Sequence, residues 1–96
     1  MSNQSSILLE VCVASVDDAI AACAGGADRL ELNVAIELGG LTPSVGLLEE
    51  VRANVSVPIM AMVRPRGAGF RYTPTERRVM LADADKLLSA GAAGIV

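Results

Sequence analysis

Ala24-Gly-Gly-Ala-Asp-Arg-Leu-Glu31 runs from the end of a helical pattern, through glycine and small residues, into a short apolar strand. Ala90-Gly-Ala-Ala-Gly-Ile-Val96 repeats this succession at the end of the chain. Glycine is common at such points because the residue that ends a helix often adopts a positive φ. The echo indicates that one helix-to-strand connection recurs along the sequence.

The rest of the chain follows the same alternation of strands and helices. The strand-like runs are short, apolar and followed by turn residues, and they cover 7–13, 29–33, 58–63 and the start of a fourth at 94–96. Apolar residues at i, i+3, i+4 and i+7 from Val16 to Cys23 predict the first helix. Thr73-Pro-Thr-Glu76 has the hydroxyl, proline and glutamate of a capping box and predicts the start of another.

The predicted order is therefore βαβαβαβ, an α/β fold with a parallel sheet. Right-handed crossovers can coil such a chain into an open doubly wound sheet or into a (β/α)8 TIM-type barrel. We predict a disordered tail at residues 1–6 and the N-terminal part of a single barrel domain at residues 7–96. Because the pattern stops within the fourth strand, we expect a part of a longer barrel, an inactive truncated half-barrel, or a half that assembles as a homo-oligomer.

Charge and composition exclude several classes of partner. The 96 residues carry a net charge of -3, and no run of Lys and Arg would attract nucleic acid or an anionic membrane surface. No stretch approaches the roughly 18 to 20 apolar residues of a membrane span, so a cytoplasmic protein is expected. The chain has no histidine, and Cys12 and Cys23 are too far apart for a CxxC motif, which favours reduced thiols.

Polar residues recur on one face of the first two predicted strands. Alternate residues of a strand face opposite sides, so Glu10 and Cys12 share one face of the first strand. The same alternation pairs Glu31 with Asn33 in the second strand. These side chains point toward the interior of a barrel, whose functional groups lie at the carboxyl ends of its strands. Glu10 and Glu31 are therefore candidate general acids or bases.

Two arginines continue this face beyond the third strand. Arg64 and Arg66 flank Pro65 and precede Gly67 and Gly69, which permit a ligand to approach the backbone closely. Arginine binds carboxylate and phosphate in a bidentate manner, so Arg64 and Arg66, with Asn33, are candidate anion-binding residues. The alternatives are a structural ion-pair network and an ordinary glycine-rich loop with solvated arginines.

Cys12 is a candidate nucleophile or metal ligand. Its thiolate is a soft donor, and the thioethers of Met60 and Met62 could join it around Cu(I). The alternative is that these residues fill the core, where cysteine and methionine are common.

Four motifs resemble the CutC copper-homeostasis family in order and spacing: Leu9-Glu-Val-Cys12, Gly26-Ala-Asp-Arg-Leu-Glu-Leu32, Gly39-Gly-Leu-Thr-Pro-Ser44 and Arg64-Pro-Arg-Gly67. The resemblance implies a TIM-type barrel, of which these residues are slightly under half, in a cytoplasmic protein assigned to copper handling. It also implies a polar site at the mouth of the barrel, onto which five residues map: Glu10, Cys12, Glu31, Arg64 and Arg66.

The sequence departs from the family pattern at two places in this site. Asn33 replaces a second cysteine that copper-binding members often have, and Ala68-Gly69 replaces the Gly-Asp of a Gly-Gly-Asp-Phe motif. The motifs and the polar residues together leave two functions open besides an inactive half-barrel. One is a copper-homeostasis protein that binds Cu(I) through Cys12. The other is a barrel enzyme that acts on a small anionic metabolite.

Overall fold

The computed structural model describes residues 7–96 as alternating strands and helices; the predicted tail at 1–6 lies outside the described residues. The strands are β1 (Glu10–Val13), β2 (Arg29–Leu32), β3 (Ile59–Ala61) and β4 (Gly94–Ile95). The helices are α1 (Val16–Ala24), α2 (Val45–Asn54) and α3 (Pro74–Ser89), and a short 3-10 helix covers Ile36–Leu38. The predicted βαβαβαβ order is confirmed.

The strands form one parallel sheet in the order β1-β2-β3-β4. A doubly wound sheet reverses the direction of strand addition at a switch point, whereas a β/α barrel adds each strand beside the previous one. The sequential order therefore matches the first part of a TIM-type barrel. Within residues 7–96, no helix has the length and apolar character needed to cross a bilayer.

The core lies between the sheet and its helices. Leu30, Leu32 and Ile59 are fully buried on the helix-facing side of the strands. Leu48 and Val51 of α2 reach the same cluster, together with Ala19 of α1 and Leu87 of α3. All the fully buried strand residues are therefore on one face, as the predicted alternation requires. The other face, which in a barrel is the interior, carries the polar residues.

β1 is shorter than predicted, because it begins at Glu10 and not at Ile7. β2 begins at Arg29, which is the register partner of Glu10, so the preceding residues have no strand beside them. The Leu9 N–H donates instead to the Asp28 carboxylate at 2.9 Å, and its carbonyl accepts from the Asp28 N–H at 2.8 Å. These two hydrogen bonds join Leu9 to Asp28 just outside the paired strands.

Hydroxyl side chains start the three α-helices. Ser15 Oγ accepts from the Asp18 N–H, and Ser44 Oγ accepts from the Leu47 N–H, each at 3.0 Å. At α3 the predicted capping box is confirmed, since Thr73 Oγ1 accepts from the Glu76 N–H while the Glu76 carboxylate accepts from the Thr73 N–H. These caps satisfy N–H groups that have no partner within the helix.

Candidate functional site

A row of residues crosses the inner face of the sheet one position before the strands end. Cys12 is the register partner of Glu31, Glu31 of Met60, and Met60 of Gly94. A Cβ at Gly94 would lie 2.6 Å from Met60 Cε, so the absence of a side chain there makes room for the thioether. The row lies toward the carboxyl ends of the strands, where β/α barrels carry their functional groups.

Cys12, Glu31 and Asn33 form a hydrogen-bonded cluster at one end of this row. Cys12 Sγ donates to Glu31 Oε1 at 3.3 Å, and Asn33 Nδ2 donates to the same oxygen at 3.1 Å. Asn33 is 3% exposed, the one buried polar residue of the described chain. Partial burial raises the pKa of the Cys12 thiol, and the hydrogen bond to Glu31 and its negative charge raise it further. Cys12 is therefore a protonated thiol at neutral pH.

A pair of glycines packs against both Asn33 and Arg64. Gly39 and Gly40 have φ values of +91° and +94°, which side chains other than glycine rarely adopt. A Cβ at Gly40 would lie 3.0 Å from Asn33 Oδ1, and one at Gly39 would lie 2.7 Å from Arg64 Nη1. The turn thus brings the end of β2 and the loop after β3 together. Sequence reasoning missed this role, although two adjacent glycines were its signal.

Arg66 holds the loop that joins β3 to α3. Its Nε and Nη2 donate to the two carboxylate oxygens of Glu76 at 2.6 and 3.0 Å. Nη1 donates to the carbonyls of Gly67 and Ala68, and Nη2 also donates to that of Arg71. These contacts use all five N–H groups of a guanidinium. Arg66 was predicted to bind an anion, but in the structure its guanidinium is occupied by contacts that hold its own loop against α3.

The predicted polar residues divide into separate groups. Within residues 7–96, no hydrogen bond or ion pair joins the carboxylates of Glu10 and Glu31 to Arg64 or Arg66. Glu10 begins β1 and pairs at 2.7 Å with Arg29, its partner in strand register. The site that remains consists of Cys12, Glu31 and Asn33, with Arg64 across the glycine pair.

The ion pair between Arg66 and Glu76 predicts that stability depends on pH. The hydrogen bond from Arg66, followed by that from the Thr73 N–H, lowers the pKa of Glu76 from 4.5 to about 2. A carboxyl group whose pKa is depressed in the folded state stabilises fully above its unfolded pKa, and this contribution is lost as pH falls toward the folded pKa. We expect Glu76→Gln to lower the melting temperature at neutral pH and to flatten its decline between pH 4.5 and 2.

Glu49→Gln is the matched control, because Glu49 is exposed on α2. Circular dichroism melts at several pH values should show a wild-type slope for Glu49→Gln and a reduced slope for Glu76→Gln. Parallel curves for wild type and Glu76→Gln would show that the ion pair adds no stability in solution.

The cluster supplies one soft ligand for Cu(I), the Cys12 sulfur, and not a complete coordination shell. Thiolates and thioethers are the ligands that Cu(I) prefers, and Cys12 and Met60 lie on the same face. Glu31 stands between them in strand register, so they are not direct neighbours. Among residues 7–96, no group of three or more Cys, Asp or Glu side chains is arranged to hold a metal ion. Cys12 is the one thiol on this face of the sheet among residues 7–96.

Comparison with known proteins gives one consistent result. The model of the CutC family matches residues 7–96. A CutC family protein of Treponema denticola is 47% identical over 95% of the chain, and the human copper homeostasis protein cutC homolog is 46% identical over 96%. The chain spans 37% and 34% of the lengths of these two relatives.

The fold agrees with this result. The crystal structure of a CutC protein from Streptococcus agalactiae matches 93% of the chain with a TM-score of 0.85 and 28% identity. The match covers 44% of that protein. The fold prediction, a parallel α/β unit that forms part of a TIM-type barrel, is confirmed.

Proposed function

Because the chain belongs to the CutC family, we propose that the protein acts in copper homeostasis and binds Cu(I) as its cargo through Cys12. Relatives named as copper homeostasis proteins support the first part. The observation that supports the second is the Cys12 thiol, exposed on the inner face of the sheet and hydrogen-bonded to Glu31. No other cysteine lies on that face in residues 7–96.

The thiol must lose its proton when copper binds, because the thiolate is the ligand. The S–H bond breaks, an S–Cu bond forms, and the proton moves along the existing hydrogen bond to Glu31 Oε1 or to solvent. Asn33 donates to the same carboxylate oxygen and holds it beside the sulfur. Glu31 is thus proposed as the proton acceptor of the site.

A site with one thiol exchanges its metal more readily than a closed set of thiolates. By the resemblance to the family, Asn33 stands where copper-binding members often have a second cysteine, and an amide is a poor ligand for Cu(I). We therefore propose a cargo site that passes copper on, and not a permanent structural copper.

Competition for Cu(I) against a chelator of known affinity tests this proposal on the full chain. Cys12→Ser is expected to weaken Cu(I) binding at least about tenfold, since removing a ligand costs no less than removing one of its supporting residues. Cys23→Ser is the matched control, because Cys23 lies on α1 and packs against the core. Equal affinities for wild type and Cys12→Ser would exclude the Cys12 site.

A further inference from the structure

Arg64 has a guanidinium that the fold satisfies only in part. The side chain is half-buried, and its Nη1 donates to the Leu38 carbonyl at 2.9 Å. Its Nε is shielded from solvent and is the one buried side-chain nitrogen or oxygen of residues 7–96 without a hydrogen-bond partner. A charged donor left in this state is costly, because it has lost its water without gaining an acceptor.

Arg66, two residues further along the same loop, shows what this part of a guanidinium can bind. Its Nε and Nη2 grip the Glu76 carboxylate, one oxygen each. Such paired hydrogen bonds are the strong and geometrically specific mode of arginine recognition. In Arg64, no described residue accepts a hydrogen bond from Nε or Nη2. Arg66 thus binds a carboxylate through Nε and Nη2, whereas the same atoms of Arg64 bind none among the described residues.

The remaining contacts of Arg64 fix its orientation. Phe70 lies against the flat face of the guanidinium, with the ring centre 4.6 Å from Cζ. Thr42 Oγ1 accepts from the Arg64 backbone N–H at 2.8 Å, and Gly39 lies against Nη1. The edge formed by Nε and Nη2 is left without a hydrogen-bond partner among the described residues. Phe70 is 76% exposed, so few other contacts hold its ring in place against the guanidinium.

We propose that the Nε and Nη2 edge of Arg64 binds the paired oxygens of a small carboxylate or phosphate anion. The bound ligand lies across the glycine pair from Asn33. The site is independent of the proposed copper site, since it uses neither Cys12 nor Glu31. Arg66 takes no part in it, because its donors already bind Glu76 of α3 and the carbonyls of the loop.

The other arginines with described contacts already have partners. Arg29 pairs with Glu10, and Arg52 donates to the carbonyls of Val55 and Val57. Arg71 lies in the same loop as Arg64 but is exposed. Arg71 therefore provides the matched control for general attraction of anions to this loop.

Nuclear magnetic resonance of the arginine Nε–H groups tests the site directly. The ¹⁵N-labelled chain is titrated with sodium phosphate and, separately, with sodium acetate, at an ionic strength kept constant with sodium chloride. The Arg64 Nε–H signal, assigned through bonds from its own backbone, should shift and saturate with at least one anion. Arg64→Lys should weaken this anion's binding at least about tenfold, while Arg71→Lys should change it less than about twofold.

Each outcome decides the question. Saturation with phosphate or with acetate identifies the oxygen chemistry that the site takes. A shift that rises linearly with concentration, or no shift with either anion, would overturn the proposal. Equal effects of Arg64→Lys and Arg71→Lys would also overturn it, because Arg64 would then contribute no more to anion binding than an exposed arginine of the same loop. The wild-type signal requires no variant, so a folding defect in Arg64→Lys leaves the test intact.

Discussion

Leu30→Ala is expected to lower the free energy of unfolding by about 2–5 kcal/mol. Leu30 has no exposed surface and lies at the centre of the sheet, with Val11 and Ile59 as its register partners. Truncation removes buried methyl groups and leaves a cavity that neighbours on two strands cannot fill without distorting the sheet. A loss of this size is a large fraction of the stability of a small domain.

The control is Leu81→Ala, the same substitution on α3, where Leu81 is 72% exposed. Its effect should remain within about 0.5 kcal/mol, because little apolar surface changes its contact with water. Urea denaturation of the three proteins measures the difference. Similar losses for both variants would mean that the outer side of α3 is buried in solution and that the core is not confined to the helix-facing side of the sheet.

Gly40→Ala is expected to cost about 2–5 kcal/mol, the sum of a left-handed backbone cost and an overpacking cost. Gly40 has a φ of +94°, and its new Cβ would lie 3.0 Å from Asn33 Oδ1. Asn33 is buried and donates to Glu31, so it can move only by weakening the cluster around Cys12. The substitution is therefore expected both to destabilise the protein and to disturb the hydrogen bonds around Cys12.

Gly26→Ala separates the two costs. Gly26 has a similar φ of +103°, but a Cβ added there would meet no atom within 4 Å beyond those of its chain neighbours. It should lose only the backbone part, about 1–2 kcal/mol. Chemical denaturation measures the loss in free energy of unfolding for both variants, and the difference between the two losses is the cost of the contact with Asn33. Equal losses would show that Asn33 yields freely and that the glycine pair does not hold the site.

Much of the framework follows from local patterns in the sequence. Alternation along β1 and β2 predicted that Cys12 and Glu31 share a face, and the parallel register makes them direct partners. The capping box at Thr73 was legible because all its parts lie within four residues. Such features depend on neighbouring residues alone, so a single sequence can reveal them.

The choice of partner by each charged residue could not be predicted in this way. Glu10 pairs with Arg29 because strand register places them side by side, and that register was unknown from the sequence. Arg66 pairs with Glu76 because the loop after β3 folds back on the start of α3. Faces can be read from a period of two, but partners depend on where separate segments meet.

The central claim is that copper replaces the proton that the Cys12 thiol donates to Glu31. The pH dependence of Cu(I) affinity tests this claim most directly. Because the pKa of the thiol is raised, binding must displace a proton throughout the neutral range. The affinity of the full chain should rise about tenfold per pH unit between about pH 6 and 8, against a chelator calibrated at each pH. Cys12→Ser should abolish this slope. A wild-type affinity that is constant with pH would contradict copper binding at Cys12.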